Sequence, residues 1–112
     1  MEVSVEHRGD VALVRIAGSV DGLTAEGLQS SLSAQITGGA IRIVGDLSGV
    51  DYTSSAGLRA LLATLKATRQ LGGDFRLAAV QPAVLRVLEM SGFTSILKHY
   101  PDVDAAVDSF GT

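Results

Sequence analysis

The chain has 112 residues, 46% of them hydrophobic and 19% charged, enough to bury a core in one domain spanning 1–112. It contains no cysteine, which excludes disulfides, thiolate metal sites and cysteine nucleophiles. Its 9 basic and 12 acidic residues give a formal net charge of −3, and the basic residues are scattered from Arg8 to Lys98, a poor match to a nucleic-acid phosphate backbone. Val3 and Val5 alternate with Ser4 and Glu6, the period of a strand with one buried face. His7, Arg8, Gly9 and Asp10 then form a turn, since Gly tolerates positive φ and Asp bonds its own backbone. VALVRIAG at 11–18 returns as the second strand of a hairpin. That turn also accounts for the RGD tripeptide at 8–10.

Thr24 caps a first helix, with Glu26 in its first turn. Leu28, Leu32 and Ile36 recur every fourth position up to the stop at Gly38 and Gly39. AIRIVGDL at 40–47 reads as a buried strand. In the second helix Leu58, Leu61, Leu62 and Leu65 fall at i, i+3, i+4 and i+7, and Gly72 with Gly73 ends it. DFRLAAV at 74–80 is a further strand. Pro82 opens a third helix with Val84, Leu85 and Leu88 apolar, closed by Ser91 and Gly92. Residues 95–100 make a last short strand, and Pro101 opens a terminal helix carrying Val103, Ala106, Val107 and Phe110. The order β-β-α-β-α-β-α-β-α predicts an α/β fold. It is a mixed sheet with an N-terminal hairpin, parallel in its later part, with helices packed on it. No apolar run approaches the ~18 residues of a membrane span, and the start, MEVSVEHRGD, lacks the pattern of a signal peptide. A complete, soluble, cytoplasmic protein is expected.

Chemistry concentrates in GDLSGVDYTSSAGLRALLATLK at 45–66, where Thr53, Ser54 and Ser55 stand in a row before the second helix. Helix capping explains one hydroxyl of the three. A nucleophilic Ser needs a base and an oxyanion hole. The stretch lacks G-x-S-x-G, and the two histidines, His7 and His99, lie near the chain ends, so no enzyme is expected. The Gly pairs belong to no phosphate-cradling motif, and Asp46 and Asp51 lack a third carboxylate, so neither cofactor nor metal is expected. The other reading is a modified hydroxyl. A helix N-terminus carries roughly half a positive charge and unpaired N–H donors, so it tolerates a phosphate that adds about −1.5 to −2 charges.

At these residues the chain resembles the STAS-domain anti-sigma factor antagonists, or anti-anti-sigma factors. DLSGVDYTSSAGLRALL is similar to their signature. AGSVDGLTAEGL at 17–28 is similar to their G-x-[LV]-D-x-x-[TN]-A segment, and VLEMSGFTSILKHYPDVDAAVDSF to their closing portion. The resemblance covers nearly the whole chain. It implies partner switching in bacterial transcription regulation and stress response. The unmodified antagonist binds an anti-sigma serine kinase and frees the sigma factor, phosphorylation separates the pair, and a serine phosphatase resets the system. By position the phosphorylated residue is Ser55, with Ser54 as a rival acceptor, and Asp21 matches the family's acidic residue near that site. Ser54 stands where the family often has Asp, and Ala56 where it often has Ser. The implied partner-facing residues are Asp21, Thr24, Thr53, Ser54, Ser55, Ala56, Gly57 and Arg59, on a monomer with transient complexes. A non-switching STAS scaffold of a signalling complex or transporter is the alternative; it would leave the hydroxyls as caps.

Overall fold

Apolar side chains on both sides of one strand organise the molecule. In the computed structural model, which describes residues 1–111, β2 (Val11–Ala17) buries Ala12, Val14 and Ile16 on one face and Val11 and Leu13 on the other. β1 (Glu2–Arg8) pairs with it antiparallel, Val5 opposite Val14. The turn is tighter than expected. His7 and Arg8 still pair with Ala12 and Val11, so Gly9 and Asp10 alone reverse the chain, with Gly9 at φ +63°. The expected buried face of β1 is corrected too: Val5 is exposed, because this strand forms the sheet edge, and only Val3 packs against the core.

β3 (Arg42–Gly49), β4 (Asp74–Ala78) and β5 (His99–Tyr100) add in parallel, giving the order β1-β2-β3-β4-β5. Each crossover steps one strand in the same direction, so crossovers of one hand put all their helices on one face. That face carries α1 (Ala25–Thr37), α2 (Ser55–Gln70) and α3 (Pro82–Met90), whose Leu28, Leu32, Leu58, Leu61, Leu65, Val84 and Leu88 meet Ile43, Phe75 and Leu77. The short α4 (Val103–Asp108) covers part of the other face, setting Ala106 and Val107 on Val11, Leu13, Val44 and Ala78. The expected α/β architecture is borne out, with local differences. β3 runs on to Gly49, whereas β4 stops at Ala78 because Ala79 takes φ +54°. Gly92, at φ +76°, leads into a 3-10 turn at Phe93–Ser95, which leaves β5 two residues. Ile36 and Leu62 are only partly buried. Thr24 precedes α1, but its hydroxyl makes no capping bond to the helix.

Two details hold the centre. Gly45 lies under the ring of Phe75; a Cβ there would sit 3.1 Å from Cζ. Asp74 bridges α2 and β4. It accepts from Arg69 Nε (3.1 Å), Arg76 Nε (2.9 Å) and the Phe75 N–H (3.0 Å). Burial pushes its pKa up, but the bonds from Arg76 and then Arg69 outweigh this and hold it below the usual value. A lowered folded-state pKa adds stability above the unfolded-state value near 4, and that stability fades as pH falls through the folded-state value. Asp74→Asn is therefore expected to lower the urea midpoint at neutral pH and to flatten the loss of stability below pH ~4, read from urea curves across pH. Phe75→Ala, at a fully buried site, should cost ~3–5 kcal/mol in the same measurement.

Candidate functional site

The parallel pairing of β2 and β3 continues past the end of the sheet. The register shifts between Arg15 and Ala17, after which Gly18 N–H donates to Gly49 O (2.8 Å), Val20 N–H to Tyr52 O (2.9 Å) and Ser54 N–H to Val20 O (2.8 Å). Val20 and Thr53 form an isolated parallel bridge. Glycine permits this approach, since a Cβ on Gly49 would lie 3.0 Å from that of Ala17. The loop holding Asp21 is thereby clamped beside the start of α2.

The three hydroxyls separate by role. Thr53 is buried, and its Oγ1 donates to Ser54 O at 3.3 Å. Ser54 is the N-cap, half-buried, with extended backbone, and its Oγ accepts from the Gly57 N–H (3.2 Å). Ser55 is the first helical residue and is exposed. Gly57 is buried; a Cβ there would strike Thr53 Oγ1 and come within 2.8 Å of Val20 Cγ1. Thr53 and Gly57 are therefore buried beneath the surface on which Ser55 is exposed. The Gly57 N–H is taken up by the cap. Ala56 is half-buried and Arg59 exposed.

Asp21 serves its own turn. Its Oδ1 accepts from Leu23 N–H (2.9 Å) and Thr24 N–H (3.0 Å), while its N–H donates to Thr24 Oγ1 (2.9 Å). Thr24 Oγ1 lies 3.1 Å from Ser19 O and 3.2 Å from Asp21 Oδ1, and its single proton satisfies one at a time. Asp21 thus organises the turn that leads into α1, and the capping bond expected of Thr24 is absent. The Leu23 N–H, then that of Thr24, holds the Asp21 carboxyl below its usual range, so it stays ionised. Two residues at this end escaped the sequence reading. Leu23, in the Asp21 turn, is 93% exposed, and Tyr52, next to the hydroxyl row in the chain, is 52% exposed. Their only signal was negative: neither fits the period of a helix or strand face.

The site is a surface and not a pocket. The void beneath it, lined by Val20, Thr53, Gly57 and Leu61, is about 10 Å³. A groove of about 620 Å³ lies over β1, β2 and β3 and is lined by Glu2, Ser4, Arg15 and Asp46, without Ser55. No cluster of three acidic or His side chains able to hold a metal occurs among the described residues. No helix among them is long and apolar enough to cross a membrane. The STAS domain model matches residues 2–106. The chain belongs to the STAS-domain family. BtrV of Bordetella bronchiseptica, provisionally named an anti-sigma factor antagonist, is 37% identical over the whole chain and 97% of its own length. The anti-sigma F factor antagonist of Paenibacillus polymyxa is 30% identical over 89% of this chain and 86% of its own. Bacillus SpoIIAA shares the fold in its unphosphorylated and phosphorylated forms. The TM-scores are 0.77 and 0.74 at 17% and 19% identity, over 99% and 97% of this chain and 100% and 99% of SpoIIAA. STAS antagonists are regulatory binding proteins that act on anti-sigma factors, and this chain is one of that family rather than an enzyme.

The roles of the hydroxyls are separable by stability. Ser54→Ala should cost ~1 kcal/mol through the lost cap, whereas Ser55→Ala should stay within ~0.5 kcal/mol of the native chain, both by urea unfolding. Gly57→Ala should be the worst of the three, since its methyl group enters space held by Thr53 and Val20.

Proposed function

We propose that this chain is a cytoplasmic anti-sigma factor antagonist switched by phosphorylation of Ser55. Unphosphorylated, it binds an anti-sigma serine kinase and frees a sigma factor; phosphorylated, it lets the kinase go until a serine phosphatase restores it. The observation that carries this reading is the contrast between neighbours. Ser54 is committed to the cap, while Ser55 is exposed one residue on, at the positive end of a 16-residue helix. A kinase reaches Ser55 without unfolding the domain, and helix N–H groups tolerate the product. The small side chains next to it, with Ala56 partly covered, and the exposed Leu23 and Tyr52 in the loops at this end suit close approach by another chain. Placing about −1.5 to −2 charges in that contact adds repulsion and a desolvation cost. A loss of ~3–4 kcal/mol weakens binding several hundredfold, enough to redirect a mass-action competition. The complexes are transient and the free chain is a monomer.

The test is incubation with the anti-sigma kinase encoded nearest this chain's gene, with ATP, followed by intact-mass measurement and peptide mapping. One added phosphate on Ser55 is expected. Ser55→Ala should bind that kinase as the native chain does and gain no phosphate, and Ser55→Asp should bind at least tenfold more weakly. Phosphate confined to Ser54, or equal binding by both variants, would sink the reading; equal binding without phosphate would favour a scaffold.

A further inference from the structure

The chain as a whole is acidic, yet its longest helix carries charge of one sign. α2 holds Arg59, Lys66 and Arg69 and no acidic residue, within a chain of net charge −3. Arg69 is bound to Asp74 and to Ile96 O. Arg59 and Lys66 are exposed, and neither is in an ion pair among the described residues. Arg8, Arg15, Arg42 and Arg76 all are. At about 100° per residue, Ser55, Arg59 and Lys66 fall within about 40° of one another on the helix. They lie opposite the buried arc of Leu58, Leu61, Thr64, Leu65 and Thr68. The nearby carboxylates keep their charge but pair with neither cation: Asp21 bonds within its turn, and Asp51 accepts from Ser19 Oγ (3.0 Å). The exposed face of α2 is thus a basic stripe that begins at the phosphate acceptor and runs about 16 Å along the axis.

We infer that this stripe docks an acidic surface of the partner kinase, and that phosphate on Ser55 disables it from within by pairing with Arg59. Ser55 and Arg59 stand at i and i+4 with the anion N-terminal, the favourable order for a helical ion pair. A phosphate offers three acceptor oxygens to the guanidinium fork. Phosphorylation then acts twice: it adds negative charge facing an acidic partner, and it withdraws the cation nearest that partner. Lys66, about two turns further on, stays free, so the stripe is shortened rather than erased. This deepens the switch proposed above and rests on Ser55 being its acceptor.

Two measurements test it. In the first, association of the unmodified chain with the anti-sigma kinase encoded nearest its gene is followed across ionic strength. Arg59→Glu with Lys66→Glu should slow association about tenfold or more at low salt and flatten its salt dependence. Arg86→Glu, an exposed basic site on α3 outside the stripe, should change neither. A double variant that associates as fast as the native chain, or an equal effect at Arg86, overturns the docking role. In the second, phosphoserine is installed at position 55 and its second ionisation followed by phosphorus NMR. Arg59→Gln should raise that pKa by about 0.3 of a unit or more, because a nearby cation favours the dianion. No change overturns the pairing. Failure of the switch reading looks different: phosphoserine at 55 would leave kinase binding intact whatever occupies position 59.

Discussion

The close approach of residues 18–20 to residues 49–54 sets everything at the functional end of the molecule. Sheet hydrogen bonds normally stop where the strands diverge into loops. Here they continue through Val20 and Thr53 and hand the chain directly to α2. Gly49 admits Ala17 to the pairing, and Gly57 lets the first turn of α2 rest on the Val20–Thr53 bridge. The absent side chains at these two positions are what bring the Asp21 turn and the Ser55 hydroxyl to one surface. Without that contact, α2 would start further from the sheet, and the cap, the exposed hydroxyl and the acidic turn would be independent features.

A surface of this kind works by different physics from a pocket. It encloses no ligand and shifts no group toward catalytic readiness. At this surface Asp21 is held ionised by backbone donors and spent on local structure. What it supplies is a platform whose backbone is tied across the Val20–Thr53 bridge. In the switch proposed above, a partner meets the exposed Ser55 hydroxyl, and an added charge there enters the contact, where desolvation makes charges count most.

Much of the architecture was legible in the sequence because its signals are periodic. The leucine stripe of α2, the Pro82 start of α3 and the Gly38–Gly39 stop each express local rules that the tertiary structure leaves in place. The failures share one cause, which is that burial depends on what packs opposite. Val5 alternates correctly for a half-buried strand, but no helix covers the β1 edge. Thr24 has the chemistry of a cap, yet its hydroxyl turns back to Asp21 and Ser19 in the preceding turn and leaves the helix N–H groups unbonded by it. The hydroxyl row was visible as a row but not as three roles. Assigning them needs the Val20 backbone, more than thirty residues upstream, which covers Thr53 and Gly57 and leaves Ser55 clear.

The sequential strand order has a consequence for how such a module diverges. With β2, β3 and β4 parallel and neighbouring, the loops into α1, α2 and α3 all leave from one end of the sheet. The returning loops at Gly38–Gly39 and Gly72–Gly73 and the hairpin turn at Gly9–Asp10 gather at the opposite end. Ser55 lies at the first pole, so the loops at the other can lengthen, shorten or carry a tether without touching it. Lineages can retune whom the domain meets and how it is attached as separate evolutionary problems, each solved without disturbing the other.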